Sequence, residues 1–326
     1  MKAAIVRESG MTPVFGDFDD PAPRPGEELI TVTASALSQI TKSRASGLHY
    51  TSPGSLPAVV GIDGVGRKQD GRRVYFVLPR APFGALAEKV AVSREQCVPL
   101  PDDVDDVTAA AIAIPGMSSW AAFKERAHLV AGENVLINGA TGAAGRLALQ
   151  IAKYLGAKRV IATGRDPAAL EQVKALGADV TASLLQSPKE LETAFMEQFG
   201  GEGVDVVLDY LWGQTAEVLI VAAARAGKDA VPIRFVQIGA SSGGNITLPS
   251  AALRSSALVL MGSGIGSIPL HGMVGAIHGV IQAVVPAKLK IKTEIVPLAK
   301  VEETWNKDSG RSRVVFVLSQ HSQVSS

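Results

Sequence analysis

The residues with the clearest chemical potential form one run, Val135–Gly145, with the sequence VLINGATGAAG. Four residues typical of a buried strand lead into a glycine-rich turn, and an amphipathic helix follows. Turn glycines let the backbone approach a pyrophosphate closely, and a helix N-terminus offers N–H groups to its negative charge. The run therefore predicts a dinucleotide site. The residues expected to hold the phosphates are Thr141, Gly142, Ala143, Ala144 and Gly145.

The glycine pattern itself is AxGxxG, because Ala140 takes the position of the first glycine. An ordinary strand–turn–helix with small residues for close packing would look similar. The context favours nucleotide binding, because a strand precedes the turn, a helix follows it and a second strand comes next.

The end of that second strand distinguishes NADP from NAD. NAD sites place a carboxylate there to accept hydrogen bonds from the ribose 2′-hydroxyl, whereas this chain has Gly164. A glycine leaves room for a 2′-phosphate, and Arg165 can pair with it, although Arg165 could also be a plain surface arginine. Asp166 lies one residue too far along and precedes Pro167, which is typical of a helix N-cap. The pattern favours NADPH.

From about Trp120, short apolar strands alternate with helical stretches, which indicates an α/β domain with a doubly wound parallel sheet. The strands are expected at Val135–Asn138, Arg159–Thr163, Val180–Ser183, Val204–Asp209, Phe235–Gly239 and Ala257–Gly262.

The first part of the chain is rich in Val, Ile and Thr and predicts a mainly antiparallel β domain. Its strands are expected at Lys2–Arg7, Leu29–Ala36, Arg73–Leu78 and Ala85–Val92, with a connecting helix at Val107–Ile114. After Gly264 the pattern returns to strands, at Lys292–Val296 and Arg313–Leu318, which we expect to rejoin the first domain. The predicted division is 1–115, 116–265 for the inserted nucleotide domain, and 266–326 for the return segment.

Composition excludes several classes of protein. A chain of 326 residues, 47% apolar and 19% charged, with a net charge of +1, predicts a globular protein without affinity for nucleic acid. No apolar run resembles a signal peptide or a membrane span, because Ala257–Leu270 is broken by Gly, Ser and Pro. A single cysteine, Cys97, suits a reducing compartment, so we expect a cytoplasmic protein without a disulfide framework.

Motifs along nearly the whole chain resemble the medium-chain dehydrogenase/reductase superfamily, in its zinc-free quinone oxidoreductase branch. They include VTASALSQITKSRASGLHY, LPAVVGIDGVG, GMSSWAAF, NGATGAAGRLALQIAKYLGA and IGASSG. The resemblance implies a GroES-like β domain, a Rossmann domain and a homodimer paired through the last Rossmann strand, near Ala257–Gly262. It also implies contacts near the nicotinamide from Ser118, Gly239, Ala240 and Ser241. Arg313 matches a basic residue near the cofactor in the C-terminal segment of the family, although Arg311 is close enough along the chain to be the match instead.

Zinc alcohol dehydrogenases resemble this chain but carry cysteine where Ser38 stands and a histidine–glutamate pair where Ile62-Asp63 stands. The third ligand position falls near Pro115–Met117, which has neither cysteine nor histidine. We therefore expect no metal site.

Catalytic residues are harder to assign, because the family usually shows Asn and Asp where this chain has Ser38 and Thr41. His49 and Tyr50 fall where the family often carries a tyrosine beside the substrate. The candidates for binding a carbonyl oxygen or donating a proton are thus Ser38, His49 and Tyr50.

The expected reaction is zinc-independent hydride transfer from NADPH to a quinone or an α,β-unsaturated carbonyl compound. Two alternatives stay open at this point. One is a zinc-independent alcohol or carbonyl dehydrogenase, and the other is an NADPH-binding protein with little turnover.

Overall fold

The computed structural model describes residues 1–47, 52, 54–307 and 312–318. His49 and Tyr50 lie outside these residues. The chain divides into two compact units. Unit 1 comprises Met1–Ile114, Ile277–Val285 and Lys290–Ser326, and unit 2 comprises Pro115–Ala276 and Pro286–Leu289.

The first hundred residues are dominated by strands, as their Val- and Thr-rich composition predicts. The elements here are β1 (Lys2–Val6), β2 (Val14–Asp17), β3 (Glu27–Ala36), α1 (Gln39–Ala45), β4 (Ala58–Val59), β5 (Asp63–Lys68), β6 (Arg73–Val77), β7 (Lys89–Ser93) and β8 (Cys97–Pro99).

Strands and helices then alternate along the chain. These elements are α2 (Asp106–Ala121), β9 (Asn134–Asn138), α3 (Ala143–Tyr154), β10 (Arg159–Gly164), α4 (Pro167–Lys174), β11 (Val180–Ser183), α5 (Pro188–Gly200), β12 (Val206–Asp209), α6 (Gly213–Ala226), β13 (Ile233–Gln237), α7 (Ser250–Arg254), β14 (Leu258–Gly262) and α8 (Leu270–Ala283). The C-terminal elements are β15 (Thr293–Pro297), α9 (Val301–Trp305) and β16 (Arg313–Val317).

Unit 1 is built around β3, which pairs antiparallel with β5, β7 and β16. Among the described strands, the larger sheet runs β15-β16-β3-β5-β6-β8, and a smaller one runs β2-β1-β4. The strand that begins at Arg313 thus lies in the same sheet as the N-terminal strands.

Unit 2 contains a parallel sheet whose described strands follow the order β11-β10-β9-β12-β13-β14. The order reverses between β9 and β12, and in such sheets ligands bind in the crevice at the carboxyl ends of the strands on either side of the reversal. The central strands β9 and β12 are buried at every position, which indicates that helices cover both faces of the sheet. Aromatic side chains fill one layer of this core, with Phe195, Phe199 and Phe235 at most 1% exposed. The predicted α/β fold class is confirmed.

Local signals set several boundaries correctly. The Asp166 side chain caps α4 by accepting from the backbone of Ala168 at 2.9 Å, and Pro167 opens the helix. The helix expected at Val107–Ile114 is longer, however, because α2 continues through Pro115 to Ala121. Its alanines from Ala109 to Ala113 are fully buried, so packing outweighs the hydrogen bond that proline removes. The strand expected at Ala85–Val92 begins later, at Lys89.

Among the described residues, no helix is both long enough and apolar enough to cross a lipid bilayer.

Candidate active site

The glycine-rich turn connects β9 to α3 at the centre of the parallel sheet. Gly139 has a φ of +88°, which favours glycine, and the helix begins at Ala143 with Gly142 as N-cap. The intrahelical hydrogen bonds start with the amide of Arg146 donating to the carbonyl of Gly142 at 2.9 Å. The amides of residues 143–145 precede that bond, so they belong to the helix end that attracts anions.

Two glycines of the turn serve different purposes. A Cβ on Gly145 would lie 2.4 Å from the carbonyl oxygen of Gly139, so this glycine allows the helix to pack against the turn. A Cβ on Gly142 would meet nothing closer than 3.9 Å, which leaves space beside the helix N-terminus. That space suits the close approach of a pyrophosphate.

A buried polar network holds the turn in place. Asn138, the last residue of β9, donates through Nδ2 to Oδ1 of Asp209 at 2.8 Å and accepts at Oδ1 from the Thr163 hydroxyl at 2.7 Å. Thr163 in turn accepts from the amide of Gly139 at 3.1 Å. The ends of β9, β10 and β12 are thereby tied together. Sequence reasoning missed this network. The signal for it was a polar residue at or next to the end of each of three apolar strands.

Asp209 also orders the segment that follows β12. Its carboxylate accepts from the amides of Leu211 at 3.0 Å and Trp212 at 3.1 Å. Burial raises the pKa of this carboxyl, while these amides and the Asn138 amide lower it. Trp212 adopts a φ of +58°, a costly conformation for a bulky residue, and its side chain packs on Phe235.

The end of β10 carries the residues predicted to select the cofactor. Gly164 is buried, and a Cβ there would lie 2.5 Å from the Thr141 side chain, so glycine lets the turn pack against this strand. Arg165 is exposed and donates through Nη2 to the hydroxyl of Ser242 at 2.9 Å. Because Asp166 serves as a helix cap, this edge presents a cation and a hydroxyl rather than a carboxylate.

The segment after β13 lies directly beside the segment after β12. The amide of Gly239 donates to the carbonyl of Asp209 at 3.2 Å, and the Ser241 hydroxyl donates to the carbonyl of Tyr210 at 3.1 Å. A Cβ on Gly239 would lie 2.7 Å from that Tyr210 carbonyl, so only glycine allows this approach. Residues 239–241 therefore lie against the segment that follows β12, and their contact with the cofactor stays a prediction.

Ser118 lies on α2, where its hydroxyl donates to the carbonyl of Pro115 at 2.8 Å. Tyr210 is its neighbour, and burial raises the pKa of this phenol above its ordinary value, while the nearby hydroxyls of Ser118 and Ser119 oppose the rise. The Tyr210 hydroxyl has no hydrogen-bond partner among the described residues. Sequence reasoning missed Tyr210, because nothing in its neighbours along the chain distinguishes it.

Two further candidates belong to unit 1. Ser38 is 3% exposed and caps α1, where its hydroxyl accepts from the amide of Thr41 at 3.0 Å and shares a hydrogen bond of 2.7 Å with the Thr41 hydroxyl. Arg313, the first residue of β16, has Nε and Nη2 buried without a hydrogen-bond partner among the described residues. Ser38 and Arg313 thus belong to a different unit from the residues that form the crevice of unit 2.

Arg313 shares its surroundings with two other buried polar residues. The Tyr75 hydroxyl donates to Oδ2 of Asp63 at 2.8 Å. Burial raises the pKa of Asp63 to about 7, although the charge of Arg313 and the Tyr75 hydroxyl both lower it. Burial also lowers the pKa of Arg313, and Asp63 partly restores it.

One curated relative matches this architecture over its full length. The probable NADPH-dependent quinone reductase tdiC of Emericella nidulans is 30% identical over 360 residues, which cover 97% of this chain and 100% of the relative. The chain belongs to the medium-chain dehydrogenase/reductase superfamily. Residues 143–280 match the family model described as zinc-binding dehydrogenase, and most of this range lies in unit 2.

Two other matches agree with the quinone oxidoreductase-like branch of this superfamily. The quinone oxidoreductase from Thermus thermophilus, whose structures include a complex with NADPH, superposes with a TM-score of 0.80 at 26% identity and covers 98% of this chain and 100% of that one. The 2-haloacrylate reductase of a Burkholderia species is 27% identical over 230 residues, or 66% of this chain and 68% of the relative. This dehydrogenase/reductase is an NADPH-dependent oxidoreductase.

The zinc named by the family model does not suit this chain's donor set. Zinc in proteins is held by thiolates, imidazoles and carboxylates, whereas the family's ligand positions carry the capping hydroxyl of Ser38 and the apolar Ile62. Asp63 is the remaining carboxylate, and its Oδ2 accepts from Tyr75. Among the described residues, no three His, Cys, Asp or Glu side chains are grouped to hold a metal ion.

Proposed function

We propose that this dehydrogenase/reductase transfers hydride from NADPH to a quinone or an α,β-unsaturated carbonyl compound without zinc. The observation that carries the proposal is a combination of two features. Unit 2 has a glycine-rich turn at a helix N-terminus, which is typical of a dinucleotide site, whereas Ser38 and Ile62 stand where the zinc enzymes of the superfamily have metal ligands. A conjugated acceptor is already activated, so it needs no Lewis acid to polarise its oxygen.

Each part of the crevice has a defined task in this proposal. The amides of residues 143–145 bind the pyrophosphate, and the open space at Gly142 admits it. Arg165 and the Ser242 hydroxyl bind the 2′-phosphate, to which a guanidinium offers charge-assisted hydrogen bonds.

The remaining residues orient and protect the reaction. Ser118 and residues 239–241 position the nicotinamide, and Arg313 supplies a basic group near the cofactor. NADPH supplies the hydride. The oxyanion or enolate of the acceptor takes its proton from solvent or from one of Ser38, His49 and Tyr50.

The acceptor class is tested by following NADPH oxidation with quinones, conjugated enones, and simple aldehydes and ketones. Turnover with quinones or enones but not with the unconjugated carbonyls supports the proposal, and treatment with a metal chelator should leave the rate unchanged. Preference for simple aldehydes, or loss of activity with chelator that zinc restores, would overturn it.

The assignment of the 2′-phosphate is tested by Arg165→Ala. Loss of a charge-assisted hydrogen bond should weaken NADPH binding about tenfold or more and leave NADH binding within about twofold. Arg254→Ala is the matched control, because Arg254 is also exposed and its guanidinium also contacts a serine hydroxyl, that of Ser250. If Arg165→Ala and the parent bind NADPH with equal affinity, Arg165 does not contact the 2′-phosphate.

The quinone oxidoreductase-like enzyme is further proposed to be a homodimer paired through β14. This strand is hydrogen-bonded to β13 on one side and forms the end of the parallel sheet. Its Val259 is 43% exposed, which is unfavourable for an apolar side chain on an edge strand in water.

A further inference from the structure

The segment that follows β12 contains two consecutive residues with a positive φ. Trp212 has a φ of +58° and a ψ of −157°, a conformation that is almost exclusive to glycine, and Gly213 has a φ of +59°. A tryptophan persists there only where its surroundings hold it. Its amide donates to Oδ2 of Asp209 at 3.1 Å, and its carbonyl accepts from the Thr215 hydroxyl at 3.3 Å. Asp209 is 0% exposed, so a buried carboxylate helps to maintain this strained backbone.

The strained segment in turn fixes the position of Ser242, which lies in the loop after β13. The amide of Ser242 donates to the carbonyl of Leu211 at 2.8 Å. A Cβ on Gly213 would lie 2.9 Å from the carbonyl oxygen of Ser242, so the two backbones are also in close contact there. Both backbone polar groups of Ser242 thus lie against residues 211–213.

Ser242 contacts the cation that is expected to bind the 2′-phosphate. Its hydroxyl accepts from Nη2 of Arg165 at 2.9 Å, and both residues are exposed. A guanidinium has several N–H donors, and this bond uses one of them. An exposed arginine samples many rotamers in water, so a contact that holds it before the ligand arrives reduces the entropy lost on binding. Ser242 therefore lies where it can preorganise Arg165 for an anion.

Asp209 also has a role in the glycine-rich turn, and the two roles differ in their effect on the cofactor. Its Oδ1 accepts from Nδ2 of Asn138 at 2.8 Å, in the network that holds the turn. The turn is expected to bind the pyrophosphate, which NADH and NADPH share. The contacts through Ser242 lead instead to the 2′-phosphate, which only NADPH carries. The ratio of the dissociation constants for NADH and NADPH therefore distinguishes the two roles.

We infer that Asp209 is a positioning residue for the selection of NADPH over NADH, and that it acts through Ser242 on Arg165. The inference rests on the part of the proposed function that assigns Arg165 to the 2′-phosphate. The carboxylate has the same sign of charge as the phosphate, so a direct electrostatic effect would oppose NADPH binding. Its favourable effect is conformational, because it holds the backbone that places Ser242.

Calorimetric titration of the protein with NADPH and with NADH tests the inference, and the ratio of the NADH to the NADPH dissociation constant is the readout. Asp209→Ala should lower this ratio about tenfold, because Ser242 no longer holds Arg165 in place. Asp209→Asn should keep the ratio within about threefold of the parent. Its remaining oxygen can still accept the bonds that Oδ1 of Asp209 accepts from Asn138 and Leu211. Direct repulsion between carboxylate and phosphate predicts the reverse, a higher ratio in both variants.

Asp205→Ala is the matched control at the opposite end of β12. Asp205 precedes this strand, and its Oδ2 likewise accepts from a backbone amide, that of Asn134, at 2.8 Å. The control should lower Tm without changing the ratio. Combining Arg165→Ala with Asp209→Ala should give the same ratio as Arg165→Ala alone, since both changes act on one group. Ser242→Ala should lower the ratio as Asp209→Ala does, and this exposed position serves if Asp209→Ala does not fold.

The possible results separate this inference from the proposed function. A ratio that Asp209→Ala leaves unchanged or raises, or that Ser242→Ala leaves unchanged, overturns the inference. If the ratio falls in Arg165→Ala but not in Asp209→Ala, the inference alone fails. If it does not fall in Arg165→Ala, the assignment of the 2′-phosphate fails and the inference fails with it. The titrations contain no electron acceptor, so they give the same result whether or not a quinone or an enone is reduced.

Discussion

At the scale of single residues, Asp63 couples the stability of the dehydrogenase/reductase to pH. Its carboxyl is fully buried, and burial raises its pKa from 3.8 to about 7 against the opposing effects of Arg313 and Tyr75. An acid whose pKa is higher in the folded state binds more protons there than in the unfolded state. Its contribution to stability is therefore greatest below about pH 4 and is lost as pH rises through 7.

Asp63→Asn tests this contribution, because asparagine still accepts a hydrogen bond from Tyr75 but does not ionise. In urea denaturation, the free energy of unfolding of the parent should fall relative to that of the variant between about pH 4 and pH 7 and level off above it. Asp103→Asn, at an exposed position, is the control and should follow the parent at every pH. Parallel profiles for Asp63→Asn and the parent would show that Asp63 does not titrate in this range.

Single residues also show where sequence reasoning succeeds and where it cannot. The sequence identifies Asp166 correctly as a helix cap, because capping depends on neighbours along the chain. It explains Gly164 by the space that a 2′-phosphate needs. In the fold, a Cβ on Gly164 would also collide with the side chain of Thr141, which lies 23 residues earlier in the chain. Tyr210 carries no sequence signal, since the absence of a partner for a buried hydroxyl is a property of tertiary packing.

At the scale of elements, two glycines of the turn between β9 and α3 should have different roles, one in stability and the other in cofactor binding. Gly145→Ala places a methyl group 2.4 Å from a backbone oxygen and should destabilise the protein by about 1–3 kcal/mol. Gly142→Ala meets nothing within 3.9 Å and adopts a φ of −76°, so it should change stability by less than about 0.5 kcal/mol. Its methyl group would occupy the space proposed for the pyrophosphate, so NADPH affinity should fall.

Thermal unfolding without cofactor and NADPH titration measure these two effects independently. The expected pattern is a lower Tm for Gly145→Ala, and an unchanged Tm with weaker NADPH binding for Gly142→Ala. If Gly142→Ala binds NADPH as tightly as the parent, the pyrophosphate does not approach the turn at this residue.

Elements are predicted well where their periodicity is local. The six strands of the parallel sheet all occur close to their expected positions, since each is a short apolar run between helices. The sequence predicts too early an end for helix α2, before Pro115, because a proline normally ends a helix. The fully buried alanines before it show that tertiary packing sustains the helix, and this extension places Ser118 on a helix rather than in a loop.

At the scale of the whole molecule, the doubly wound order of the parallel sheet has two consequences. It places the reversal between β9 and β12, the strands that are followed by the glycine-rich turn and by the segment against which residues 239–241 lie. It also leaves β14 at the end of the sheet, with backbone groups available for pairing. Cofactor binding and assembly are therefore assigned to different regions of the same sheet.

Val259→Lys tests assembly through β14. A lysine on an edge strand opposes pairing with a second copy, because like charges would meet across the two-fold axis and lose their solvation. Light scattering at micromolar protein concentration should give twice the chain mass for the parent and the mass of one chain for the variant. Val231→Lys is the matched control, since Val231 is also 43% exposed in unit 2 but lies outside a strand. A parent of single-chain mass, or a Val259→Lys variant that keeps the double mass, would place the interface elsewhere or exclude it.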